Sequence, residues 1–217
     1  MSASQLTILA LLLVHLIGYV LPVERIVAEL ARAREKAPPL RLETTLVGIL
    51  PGWPQRVTLE LHPDFGQRVR DDQGRQWLLY RGELVSARPS RPPVWIPELE
   101  FMTLRSEEDL RTWLERARVD LERTEFARCG ESDCYILGGK NGSAQVWLEK
   151  ERFELLRLVL PGGRELVFED YRSWSGVRFP REIKVLDAHG ELAILTVETL
   201  RRARELAQED FVPTLEE

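Results

Sequence analysis

Between Val23 and Lys36, apolar side chains recur at Val23, Ile26, Val27 and Leu30, the spacing of one face of a helix. Pro38-Pro39 ends that helix, because a proline ring cannot continue the hydrogen-bond ladder. At Leu40 the period changes to two. Leu40, Leu42, Thr44 and Leu46 alternate with Arg41, Glu43 and Thr45, and Arg56-Val-Thr-Leu-Glu-Leu61 repeats the pattern. This predicts two half-buried strands joined by a turn around Pro51-Gly-Trp-Pro54. Further strands are predicted over residues 67–70, 76–80 and 83–87. Residues 88–97 carry four prolines, cannot form a central strand, and read as an extended crossing segment. Ser106-Glu-Glu-Asp109 has the form of a capping box, and Leu110, Trp113, Leu114 and Ala117 give a second helix its apolar face.

The second half returns to alternation. Strands are predicted over 124–128, 134–137, 144–149, 154–160, 165–171, 177–186 and 192–198, with turns such as Pro161-Gly-Gly-Arg164 and Asp187-Ala-His-Gly190 between them. Residues 200–208 read as a short terminal helix, with Phe211 and Val212 the last apolar residues. Short links and the absence of intervening helices call for antiparallel neighbours. The expectation is one α+β domain over residues 22–217: a large, strongly curved antiparallel sheet with two helices.

The segment Leu6 to Leu21 is apolar apart from His15, and Pro22 closes it. It lies between the roughly 7–15 residues of a signal-peptide core and the about 20 of a membrane span. Residues 1–21 therefore read as an export signal or an uncleaved anchor, and either places the rest of the chain outside the cytoplasm. Cys129 and Cys134 agree with export. They flank Gly-Glu-Ser-Asp, a turn between two predicted strands, and are well placed for a disulfide; the alternative is two buried thiols.

Composition narrows the chemistry. The chain is 44% hydrophobic and 30% charged, a globular balance, and its 30 basic against 35 acidic residues leave no surplus for phosphate backbones. Nucleic acid is not an expected partner. Two cysteines and the scattered His15, His62 and His189 do not suit a metal site. Gly138-Gly-Lys-Asn-Gly-Ser143 superficially resembles a phosphate loop but leads into a strand, so it reads as a hairpin turn. Glu98 with Glu100, and Glu149 with Glu151, read as solvated carboxylates. No nucleophile or metalloprotease motif is present, so a protein that binds without catalysis or cofactor is expected.

Aromatic surface is in surplus: six Trp, seven Phe and four Tyr. A curved sheet that fails to close leaves a concave apolar face, which helices or an apolar ligand must cover. Strand alternation selects Trp77, Leu79, Trp95, Phe101, Trp147, Leu158, Phe168 and Phe179 to converge there, either lining a cavity or simply filling a core.

Three stretches carry a family resemblance. Asp72-Gln-Gly-Arg-Gln-Trp77-Leu-Leu-Tyr80 resembles an Asp-Gly then Trp-x-x-Tyr hairpin. Gln145-Val-Trp147-Leu-Glu-Lys150 with Leu155-Leu-Arg157 is similar to a Trp-Ile-Asp-Lys then Pro-x-Arg pair. Tyr171, Gly176, Pro180 and Asp187 to Gly190 follow a Tyr, Gly-x-x-x-Pro, Asp-x-x-Gly pattern. These are motifs of the LolA-like superfamily, which takes in LolA, LppX and the N-terminal part of RseB. Glu149 and Leu155 stand where the family has Asp and Pro, and residues 88–97 are unusually proline-rich. The resemblance implies a half-open barrel capped by helices, with the eight residues above lining a cavity for acyl chains. It implies a monomeric periplasmic carrier of lipid or lipoprotein, served by inner-membrane release and outer-membrane acceptor proteins. A regulator that uses the same fold to bind a protein, as RseB does, is the alternative.

Overall fold

The computed structural model describes residues 20–50, 52–81, 83–88, 99–139 and 144–212. Within them the period-two stretches form twelve strands. The first five are β1 (Leu40–Gly48), β2 (Arg56–His62), β3 (Gly66–Asp71), β4 (Gln76–Tyr80) and β5 (Glu83–Arg88). Then come β6 (Thr124–Cys129), β7 (Ser132–Leu137), β8 (Gln145–Glu149) and β9 (Leu155–Val159). Three long strands close the series: β10 (Glu165–Trp174), β11 (Val177–Asp187) and β12 (Gly190–Arg202). The order across the sheet is β5-β4-β3-β2-β1-β12-β11-β10-β9-β8-β7-β6, and every neighbouring pair is antiparallel. Two meanders are thus joined through their first and last strands. The outer strands β5 and β6 are not paired with each other, so the curved sheet stays open.

Register explains which face is apolar. Leu200, Leu42, Leu59, Val69 and Trp77 lie directly opposite one another across five adjacent strands. Ala193, Val185, Leu166, Leu158, Val146 and Leu137 form a second such row. All these side chains are buried in one continuous core, and each large one contributes roughly 1.5–3 kcal/mol on leaving water. Two helices cover this face. Helix α1 (Val23–Arg34) turns Val23, Ile26, Val27, Leu30 and Ala31 inward. Helix α2 (Glu107–Arg116) buries Leu110, Trp113 and Leu114, and its start is capped by the Ser106 hydroxyl, which accepts the Asp109 N–H at 3.0 Å. The two helices pack against each other over the concave side. Close strand approach demands glycine at Gly66, where φ is 95° and a Cβ would lie 2.3 Å from the Leu79 carbonyl oxygen.

The C-terminal segment differs from the sequence expectation. Leu200 belongs to β12, where its pairing with Leu42 keeps it on the core, and the chain remains extended to Arg202. A 3-10 turn at Gln208–Phe211 replaces the predicted helix over 200–208. It lies on the outer face, where Phe211 packs with Phe65, Leu78, Ala203 and Leu206 in a second, smaller core. Arg88 ends β5; the rest of the crossing segment, Trp95 within it, and residues 1–19 lie outside the described residues. Among those described, no helix is long and apolar enough to cross a membrane.

Cys129 and Cys134 are joined by a disulfide, with their Cα atoms 5.9 Å apart, across the β6–β7 hairpin at the sheet edge. The closed loop is short and its hairpin borders a single strand. Replacing both residues by serine is therefore expected to cost no more than about 2 kcal/mol in a urea titration and to leave the fold intact. Loss of cooperative unfolding would contradict this.

Candidate functional site

The aromatic expectation is met unevenly. Trp77, Leu79, Phe101, Leu158, Phe168 and Phe179 all belong to the single core under the helices. Phe101, in the 3-10 turn Glu100–Met102, packs against Trp113 of α2 with ring centres 4.6 Å apart. Trp147 does not join them. Its neighbours Val146 and Leu148 turn inward, so Trp147 faces the other side, where Arg157 lies 5.1 Å over its ring and its indole N–H donates to the Gln145 side chain at 2.8 Å. The other six described members of the predicted set are packed core, and open space lies beside them.

That space is a cleft of about 410 Å³ at one end of the concave face. The C-terminal turn of α1, the 3-10 turn, the starts of β1, β9 and β11, and the ends of β10 and β12 frame it. Leu30, Leu40, Met102, Leu155, Val177 and Phe179 supply its apolar lining. Among the described residues of the predicted set, Phe179 alone reaches it. Several of these lining residues are also members of the core, so the cleft lies directly against the helix-covered interior.

Two polar side chains stand inside. Arg34, half-buried on α1, donates to the Phe101 backbone carbonyl, and its guanidinium lies 5.1 Å from the centre of the Phe101 ring. Burial lowers its pKa to about 10, still far above neutrality, so it is a cation. Tyr171 donates its hydroxyl to the Leu155 carbonyl at 2.7 Å, and burial pushes its pKa well above the ordinary phenol value. It therefore stays neutral beside Arg34. Asp170, with φ of 52°, interrupts the alternation of β10, so Tyr171 packs on the core although Leu166 and Phe168 set the opposite phase. Neither polar residue was legible as a site residue. Arg34 stands in a run with Arg32 and Lys36 that has the look of a solvated helix end, and only the motif Tyr171 to Gly176 marked the second.

A hollow of about 540 Å³ on the outer side suits apolar cargo less. Val57 is the single aliphatic residue in a lining of threonines and charged groups, among them Asp71, Arg70 and Glu198. In the core itself, the indole N–H groups of Trp53, Trp77 and Trp113 are buried without an acceptor among the described residues. Each such donor costs roughly 1–3 kcal/mol.

No protein-family model matches the sequence, and no curated protein matches it. Its fold does have solved counterparts. A LolA superfamily protein from Nitrosomonas europaea superposes with a TM-score of 0.54 at 13% identity, covering 89% of this chain and 98% of that one. A domain assigned to an outer-membrane lipoprotein-sorting protein of Vibrio parahaemolyticus gives a TM-score of 0.48 at 16% identity, covering 85% and 94%. A DUF1329 family protein from Desulfovibrio piger gives 0.45 at 14%, covering 88% and 98%. At such identity the first likeness is one of architecture, and with the open twelve-stranded sheet under two helices it establishes that this chain has a LolA-like fold.

Proposed function

We propose that this protein is a periplasmic carrier that shelters the acyl chains of a lipid or lipoprotein, with residues 1–21 taking the chain out of the cytoplasm. The observation that carries this reading is the apolar cleft that opens from the helix-covered core between α1 and the sheet. Its volume falls in the range of small-ligand sites, and each CH₂ moved into it from water gains about 0.8 kcal/mol. Shelter of this kind requires apolar surface and no catalyst. The LolA-like fold supports the same reading.

The test uses the neutral fluorescent probe N-phenyl-1-naphthylamine. Ala33 lines the cleft from an exposed position on α1, so Ala33→Trp fills the opening without disturbing the core. Probe affinity is expected to fall at least about tenfold while stability stays within about 0.5 kcal/mol, as for other surface substitutions. A wild-type protein that binds no probe, or a variant that binds it equally well, would overturn the carrier reading.

A further inference from the structure

The charges around the cleft are one-sided. Five basic residues line it, Arg34, Lys36, Arg152, Arg178 and Arg202, against Glu154 as the single acidic one. Yet the chain as a whole carries a net charge of −5. Arg178 is held by Glu154 at 2.8 Å. The other four make no ion pair among the described residues, although carboxylates hold arginines across much of the remaining surface, as in Arg41–Glu60, Arg105–Asp64 and Arg157–Glu165.

Arg34 is the informative member. It is half-buried, charged, and partnered by one backbone carbonyl and one aromatic ring. A guanidinium offers five N–H donors, so most of its capacity is unused, and its partial desolvation is uncompensated by any anion. Tyr171 beside it stays neutral and supplies no charge. The exposed Lys36, Arg152 and Arg202 surround the same opening and add an attractive field for anions.

We propose that the cleft takes an acyl chain bearing an anionic headgroup, a carboxylate or phosphate, with the chain on Met102, Phe153 and Val177, the half-buried apolar members of its lining, and the headgroup on Arg34 and the basic rim. This rests on the carrier reading and adds the charge class of the ligand. Planar, delocalised guanidinium is the group best matched to a two-oxygen anion, and a headgroup at Arg34 keeps its hydrocarbon tail within the apolar lining.

The full chain is titrated, below micelle concentrations, with four probes: dodecanoate, dodecyl phosphate, dodecyl maltoside and inorganic phosphate. Anionic C12 probes are expected to bind roughly tenfold or more tighter than the maltoside, the scale of a charge-assisted hydrogen bond. Their advantage should shrink with added salt. Arg34→Gln should bring the anionic-to-neutral ratio close to one. The exposed double variant Arg152→Gln with Arg202→Gln, which leaves the core untouched, should lower it several-fold. Equal binding of charged and neutral C12 probes, or an unchanged ratio in both variants, would overturn the proposal and leave the carrier reading standing. Inorganic phosphate that competes as well as dodecyl phosphate would show a site for the free anion and overturn it too. If no C12 probe binds, the carrier reading falls and this proposal with it.

Discussion

Replacing Glu60 by alanine is expected to destabilise the fold by about 3–5 kcal/mol, because it removes the buried anion that three arginines share. Glu60 on β2 is fully buried on the outer face of the sheet. Arg41 on β1 and Arg68 on β3 stand directly opposite it in register, and both donate to its carboxylate. Arg70 reaches the same carboxylate diagonally at 2.7 Å. Arg68, only 8% exposed, also donates to the Asp210 carbonyl at 2.6 Å and so fastens the C-terminal 3-10 turn to the sheet. Without Glu60, Arg68 keeps only the more exposed Asp210 carboxylate and Arg41 only the exposed Glu205, while the fully buried anion between the three guanidinium groups is gone. Urea unfolding measures the loss. A second variant, Glu60→Met with Arg68→Met, should recover much of it, since a packed apolar pair avoids the stranded charge. A loss below about 1 kcal/mol in Glu60→Ala would mean that the cluster behaves as solvated surface.

The strands and helices were legible in the sequence because both periods are strong. The alternation Leu40-x-Leu42-x-Thr44-x-Leu46 and the spacing Val23, Ile26, Val27, Leu30 each leave one solution for the buried face. Errors arose where alternation was read in the wrong phase or over too short a range. Alternation selected Trp147 one residue out of phase, whereas Val146 and Leu148 on either side fix the phase of β8, and Arg157 directly opposite supplies an outward partner. The terminal helix failed for a similar reason. Residues 200–208 are helix-permissive locally, but Leu200 is claimed by Leu42 across the first and last strands, a pairing between residues far apart in the chain. The cleft was the least legible part. Tyr171 and Phe179 share the β10–β11 hairpin, but Arg34 comes from the far end of the chain, and only the docking of α1 beside that hairpin brings it to them. Alternation predicts which residues are buried; it does not predict where a core stops being filled.

Trp77 separates packing from polar satisfaction, and its two variants should behave very differently. Its ring is buried at the end of the cross-strand row from Leu200, stacked 6.4 Å from Trp53 with Arg75 above it, and its indole N–H has no acceptor among the described residues. Trp77→Ala empties a large volume between β4 and the helices, and such truncations cost about 3–5 kcal/mol because the surroundings relax only in part. Trp77→Phe keeps most of the ring and removes the orphan donor. Its packing loss is offset by the roughly 1–3 kcal/mol no longer spent on burying that N–H, so its net effect should be under about 1.5 kcal/mol. Chemical denaturation of the two variants gives both numbers. Trp77 does not line the cleft, so Trp77→Phe should bind N-phenyl-1-naphthylamine with the affinity of the wild type. A Trp77→Phe loss as large as that of Trp77→Ala would show that the indole N–H is satisfied in the folded protein.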